Sequence, residues 1–144
     1  MPETLLSGHE AGFAIRLGIA LVLGFLIGIE RESRGKPAGI STNAFVIGGA
    51  AMFVHLAIIA DPSSAARVVA QVVSGVGFLG AGIILRAESG AITNLTTAAS
   101  VWFSAAVGIA IGMGWYVIAA IAAAYATIVP RIPHVSRWAR GQDP

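Results

Sequence analysis

Thr42–Ala60 reads TNAFVIGGAAMFVHLAIIA, nineteen consecutive residues without a charged side chain. A helix of that length rises roughly 30 Å, the thickness of the hydrocarbon core of a bilayer. The pattern recurs on both sides of it. Leu17–Ile29, Val68–Leu85, Leu95–Ile111 and Trp115–Val129 are also long and apolar, and the five stretches fill most of a chain of 144 residues. The expected fold is all-α: a polytopic integral membrane protein with about five transmembrane helices. With 56% hydrophobic residues and a mean hydropathy of +0.82, a water-soluble fold would lack the polar surface to cover its core. The lipid bilayer is the first partner this composition implies.

The charges agree, because nearly all of them fall between the apolar stretches or at their edges. Glu30–Pro37 (ERESRGKP) carries Arg31, Arg34 and Lys36; Arg86 follows the third stretch, and Arg131, Arg137 and Arg140 follow the fifth. The opposite side holds only Arg16 and Arg67. Short basic loops stay cytoplasmic, so the N-terminus is expected outside and the C-terminus inside, a parity that five spans satisfy. Trp115 and Tyr116 then fall in the outer aromatic belt and Trp138 near the inner interface. Residues 1–130 are read as the transmembrane domain and 131–144 as a short basic cytoplasmic tail. The tightest fit is at Ile92–Val129, which must hold two crossings and a turn at Gly112-Met113-Gly114.

Several functions have no basis in this composition. Cysteine is absent, so there is no disulfide framework, thiolate zinc site or cysteine nucleophile. Met1–Gly12 has no Lys or Arg, so it lacks the basic region of a signal peptide and the first apolar stretch is expected to stay in the protein. The pI near 9.7 comes with no basic face interleaved with aromatics, so nucleic acid is not an expected partner. No Ser-His-Asp set, H-E-x-x-H or P-loop is present, and the carboxylates Glu30, Glu32, Asp61 and Glu88 all fall at loops. The expectation is a non-enzyme with no cofactor and no metal site.

The chain has eighteen glycines. Gly24-x-x-x-Gly28 and Gly108-x-x-x-Gly112 each put two glycines on one helix face, which suits close packing inside one protomer or, alternatively, the seam of a homo-oligomer, with a dimer as the first expectation. GVGFLG (75–80) matches the G-x-G-x-x-G dinucleotide fingerprint in form only. That fingerprint needs a strand-turn-helix unit and an acidic residue about 20 positions on, whereas Leu95–Ser100 has no carboxylate. A glycine-smooth or locally broken helix is the better reading, with Ser74, Gly75, Gly77, Gly80, Gly82 and Ser100 lining either a pathway or a packing face.

Polar groups near hydrocarbon are costly and few. Thr42 is expected to cap the second helix. Hydroxyls such as Thr97 and Ser104 ordinarily bond back to their own helix, whereas Gln71 is expected to bond across helices. His55, with no ligand-type neighbours, reads as a packed polar residue. The candidate functional cluster is Glu30, Arg31, Arg34, Asn43, Gln71, Arg86 and Thr97, gathered near the inner face. Within it, Arg31 and Arg86 would suit an anionic headgroup or phosphate; alternatively, Glu30 pairs with Arg86 as a helix lock.

Three segments, GIERESRGKPAGI (28–40), QVVSGVGFLGAGIILR (71–86) and LTTAASVW (95–102) with AAVG (105–108) behind it, resemble the MgtC/SapB family of bacterial inner-membrane proteins. The resemblance implies a multi-pass domain of the inner (plasma) membrane. For the founding members it also implies adaptation to low magnesium and a virulence role inside macrophages, by inhibition of the membrane ATP synthase rather than by transport. Members tied to virulence carry Asn where this chain has Thr96, Cys where it has Phe103, and a soluble domain after the membrane part. The function expected is modulation of magnesium or energy homeostasis through helix contact with itself or a membrane protein partner. The alternative is a small oligomeric ion or solute transporter or channel with a path along Gly75–Gly82.

Overall fold

The computed structural model describes residues 7–84 and 93–132. They form five α-helices: α1 (Glu10–Ser33), α2 (Ile40–Ala60), α3 (Ala65–Ile84), α4 (Leu95–Gly112) and α5 (Tyr116–Ile128). Short 3-10 turns lie at Pro62–Ser64 and Val129–Arg131, and no strand occurs among the described residues. α1 to α4 are each long and apolar enough to cross a bilayer. α5, with 13 residues, rises only about 20 Å, and the Val129–Arg131 turn extends it. It still returns the chain to the end of the bundle where α1 finishes, since the Arg34 guanidinium donates to the carbonyl of Pro130.

The helix ends explain why the connections are so short. After α1, Gly35 sits at φ +61° while its N–H bonds to Glu32 O and that of Lys36 bonds to Arg31 O. The α4–α5 turn repeats this, with Gly114 at φ +79° bonding Ile111 O and Trp115 N–H bonding Ala110 O. This is the glycine-terminated Schellman geometry, which satisfies the last carbonyls of each helix and reverses the chain at once. Between α2 and α3, the Asp61 carboxylate accepts from Ser63 N–H at 2.9 Å, and Pro62 opens the turn. The expected cap at Thr42 is corrected: α2 starts at Ile40, and Glu32 Oε1 accepts the Ile40 N–H at 2.9 Å. A carboxylate reaching back from the preceding helix replaces a local hydroxyl.

α2 and α4 form the centre, α1 and α5 close one side, and α3 lies on the other. Glycine sets the spacing. A Cβ on Gly24 would stand 2.6 Å from Ala44 Cα, and one on Gly28 would collide with the backbone of Ile40. On the adjoining face of α2, a Cβ on Gly108 would strike Ile47 O and one on Gly112 would lie 2.7 Å from Ala51 O. Both glycine pairs are therefore used inside the protomer. Around them Ile27, Ile47, Ala51, Val107 and Ile111 form a core with no exposure. α3 is different: only Val76 and Gly80 are buried, and Gly75, Gly77 and Gly82 face open space. The helix runs unbroken from Ala65 to Ile84, which decides for the glycine-smooth reading over the broken one.

Gly28→Ala should therefore lower the thermal unfolding midpoint of the purified protein in detergent, at a cost of about 1–3 kcal/mol for overpacking. Gly77→Ala, with open space around it, should be neutral or gain up to ~1 kcal/mol from helix propensity. Equal midpoints for the two variants would contradict the packing assigned to Gly28.

Candidate functional site

The last turn of α1 carries charge into the bundle. Glu30 and Arg31 are 3% and 2% exposed, respectively, although they adjoin a polar loop. They face different neighbours because adjacent helical residues point about 100° apart. Arg31 continues the packed face of Ala20, Gly24, Ile27 and Gly28, and its Nη2 donates to Thr97 Oγ1 on α4 at 2.6 Å. Glu30 meets Arg34 Nη1 at 3.3 Å and Arg131 Nε at 3.9 Å, both through Oε1. It also borders a groove of about 480 Å³ between α1 and α5, with Thr127 and Arg131 opposite.

A second polar contact lies alongside. Asn43, wholly buried, accepts from Ser104 Oγ at 2.7 Å and donates through Nδ2 to the carbonyls of Ala38 and Gly39 at 2.7 and 2.8 Å. Ala38 holds φ +61°, a left-handed conformation unusual for a side chain with a Cβ, and the Asn43 amide is the group that braces it. The loop between α1 and α2 is thus tied from below by Asn43 and Glu32. Five buried polar atoms have no partner among the described residues: Glu30 Oε2, Arg31 Nε and Ser100 Oγ on this side, and Arg16 Nε and His55 Nε2 toward the other end of the bundle. In a low-dielectric interior such atoms are expensive, and the adjacent buried pair Glu30 and Arg31, beside the exposed Arg34 and Arg131, marks this end as a functional candidate.

Glu30, Arg31, Arg34, Asn43 and Thr97 of the expected cluster gather here. Gln71 does not. It lies near the start of α3, roughly 20 Å along the helix from Ile84, exposed and without a hydrogen bond among the described residues. Arg86, with both roles given to it, falls outside the described residues; among the described residues the partners of Glu30 are Arg34 and Arg131. The expectation that Arg31 would hold a headgroup is corrected by its burial, and the exposed cations at this end, among the described residues, are Arg34, Lys36 and Arg131. Thr97 and Ser104 bond across helices rather than to their own carbonyls, because α4 lies close enough for Arg31 and Asn43 to reach them. Ser74, Gly75, Gly77 and Gly82 are exposed on the outside of α3, while Gly80 is buried and a Cβ built on it would lie 3.7 Å from Ala98 Cβ. His55 is buried against Phe13, ring centroids 6.4 Å apart, as a packed residue. Sequence reasoning had given Arg131 to topology alone and Ser104 to its own helix; the spacing Thr97 to Ser104, two helical turns on one face, was the signal that the pair shares an interface.

Among the described residues, no group of three or more His, Cys, Asp or Glu comes together. The site offers the guanidiniums of Arg31, Arg34 and Arg131 near the Glu30 carboxylate, a net positive arrangement. Its exposed rim suits anionic or carbonyl groups on a partner.

A family model described as the MgtC family matches residues 17–135. The protein MgtC of Salmonella typhimurium (strain LT2) is 45% identical over 104 residues, 72% of this chain and 45% of that one. Protein MgtC of Brucella abortus (strain 2308) is 49% identical over 107 residues, covering 74% and 44%. An uncharacterized protein of Haemophilus influenzae is 41% identical over 134 residues, covering 83% and 55%. The chain thus spans about half the length of the curated relatives it matches. No solved structure matches.

Two outcomes follow from the site. Arg34→Ala with Arg131→Ala should destabilise the protein by about 1–2 kcal/mol, less than for a fully buried pair because both arginines are partly exposed. Adding Glu30→Gln should recover most of that loss, since a neutral amide needs no counter-charge; a triple variant no more stable than the double would refute the pairing. Thr97→Val should cost about 1.5–3 kcal/mol by removing the acceptor for Arg31. Thr96→Val, one position away and exposed, should stay within about 0.5 kcal/mol of wild type in the same unfolding measurement.

Proposed function

The chain belongs to the MgtC family, and from that premise we propose that it is a non-enzymatic protein of the bacterial inner membrane, tuning magnesium or energy homeostasis by contact with another membrane protein or a second copy of itself. The observation that carries this reading is the closed centre of the bundle. α2 is pressed against glycine faces of α1 and α4, and two buried polar contacts tie the helices there: Arg31 to Thr97 and Asn43 to Ser104. Within one protomer the packing supports a rigid membrane body with a fixed charged end, suited to docking rather than conduction. The magnesium side of the proposal rests on the family.

The distribution of basic residues supports an orientation with the N-terminus outside. Arg31, Arg34, Lys36 and Arg131 share one end of the bundle, whereas Arg16 is at the other, its guanidinium 5.9 Å from the Tyr116 ring centre. The rival reading, a transporter with a path along Gly75–Gly82, requires several copies, because Gly75, Gly77 and Gly82 face outward from an unbroken helix.

Purified protein in sealed liposomes with entrapped magnesium-sensitive and pH-sensitive dyes should show no flux above empty liposomes. Flux well above that background would overturn the proposal in favour of the transporter. In a magnesium-limited bacterium lacking its own family member, the wild-type chain should restore growth, and Arg131→Ala at equal membrane abundance should not; equal growth of the two would remove the charged end from the function.

A further inference from the structure

A groove of about 560 Å³ runs between α2 and α3, on the side of the molecule away from α1 and α5. Its α3 wall is the ridge Arg67, Gln71, Gly75 and Leu79. These are successive i, i+4 positions, so they share one face and descend about 18 Å along the helix from the Pro62–Ser64 turn. Read downward, the ridge is a cation, then an amide, then a gap, then an apolar side chain. The α2 wall supplies Phe45 and Phe53, with Gly49 between them. A Cβ built on Gly49 or Gly75 would meet nothing within 4 Å, so the groove is open where these two positions lack a side chain.

We propose that this groove holds one anionic glycerophospholipid, its phosphate on Arg67, an ester carbonyl on the Gln71 amide and an acyl chain along Gly49, Gly75 and Leu79. The polarity order of the ridge is that of the lipid itself, from headgroup to tail. Guanidinium is the side chain best suited to phosphate, and the carboxamide NH2 is a donor that an ester carbonyl can accept. Arg67 stands at the start of the span, where a headgroup lies, and Gln71 one turn deeper, where hydrocarbon alone would leave its amide unsatisfied. A second copy fits less well: a two-fold axis along the membrane normal would set Arg67 at the same depth as the partner's Arg67, like charge against like. The site is independent of the magnesium reading and of the charged end around Glu30.

The test is native mass spectrometry of the full chain released from detergent after mixing with equal amounts of phosphatidylglycerol and phosphatidylcholine. Wild type should retain one phosphatidylglycerol in preference to phosphatidylcholine. Arg67→Ala should cut that retention about fivefold, the factor one arginine carries at a lipid surface. Gly75→Leu should abolish it by filling the groove, and Gln71→Leu should weaken it at unchanged fold. Retention unchanged in Arg67→Ala and Gln71→Leu would overturn the proposal, and those two surface variants decide the matter if Gly75→Leu does not fold. A lipid-free dimer in the wild type that Gly75→Leu converts to monomer would also overturn it, and would assign the groove to a second copy.

Discussion

α2 can lie against α1 and α4 only because glycine faces it from both. A single added Cβ at Gly28 or Gly108 would meet main-chain atoms of α2, which cannot rotate away as a side chain could. Between helices in lipid there is little hydrophobic driving force, so association depends on van der Waals contact at short range and on interhelical hydrogen bonds. The glycines supply the first and make the second possible. Were α4 displaced from α2 by even one methyl group, Ser104 would no longer stand 2.7 Å from Asn43.

The same closeness governs the charged end. Glu30 and Arg31 are held below the surface by the packing of α1, and each must then find its partners within the protein or at its rim. Arg31 finds Thr97 and loses its availability to any ligand. Glu30 finds Arg34 and Arg131, which remain partly exposed and thereby join the buried carboxylate to the outside. The loop from Arg34 to Gly39 is fixed by the same atoms, since Glu32 and Asn43 hold the start of α2 from either side. A loop braced in this way presents a shape, which is what a docking surface requires and a flexible basic linker would not give.

The helices, their order and the Gly112–Gly114 turn were legible because hydrocarbon demands length and apolarity, and both are properties of the sequence alone. The shared end of Arg31, Arg34 and Arg131 was legible for the same reason. What could not be read was which face each residue takes. Gln71 was grouped with Glu30 on chemistry, yet it sits a large part of the membrane's thickness away, because depth within a span follows from where the helix starts and not from the polarity of a residue. Thr42 failed as a cap because the competing acceptor, Glu32, belongs to another helix, and nothing local to Thr42 discloses it. Thr97 and Ser104 were assigned to their own carbonyls, the commoner case, since the approach of α1 and α2 is a consequence of glycines elsewhere.

The most conspicuous glycine run, Gly75–Gly82, has a lesson of its own. In Gly24, Gly28, Gly108 and Gly112 the absent side chain admits a neighbouring backbone, so these residues are explained by the fold. Gly75, Gly77 and Gly82 admit nothing among the described residues. Folding of the single chain therefore does not account for them, and in a helix each costs about 1 kcal/mol relative to alanine. A residue that weakens its own helix and contacts nothing in the protomer points to something outside the protomer. The groove beside Gly75 and Gly49 is where such a ligand or neighbour would be accommodated, and its cation-to-apolar gradient favours a lipid over a second protein surface of the same charge.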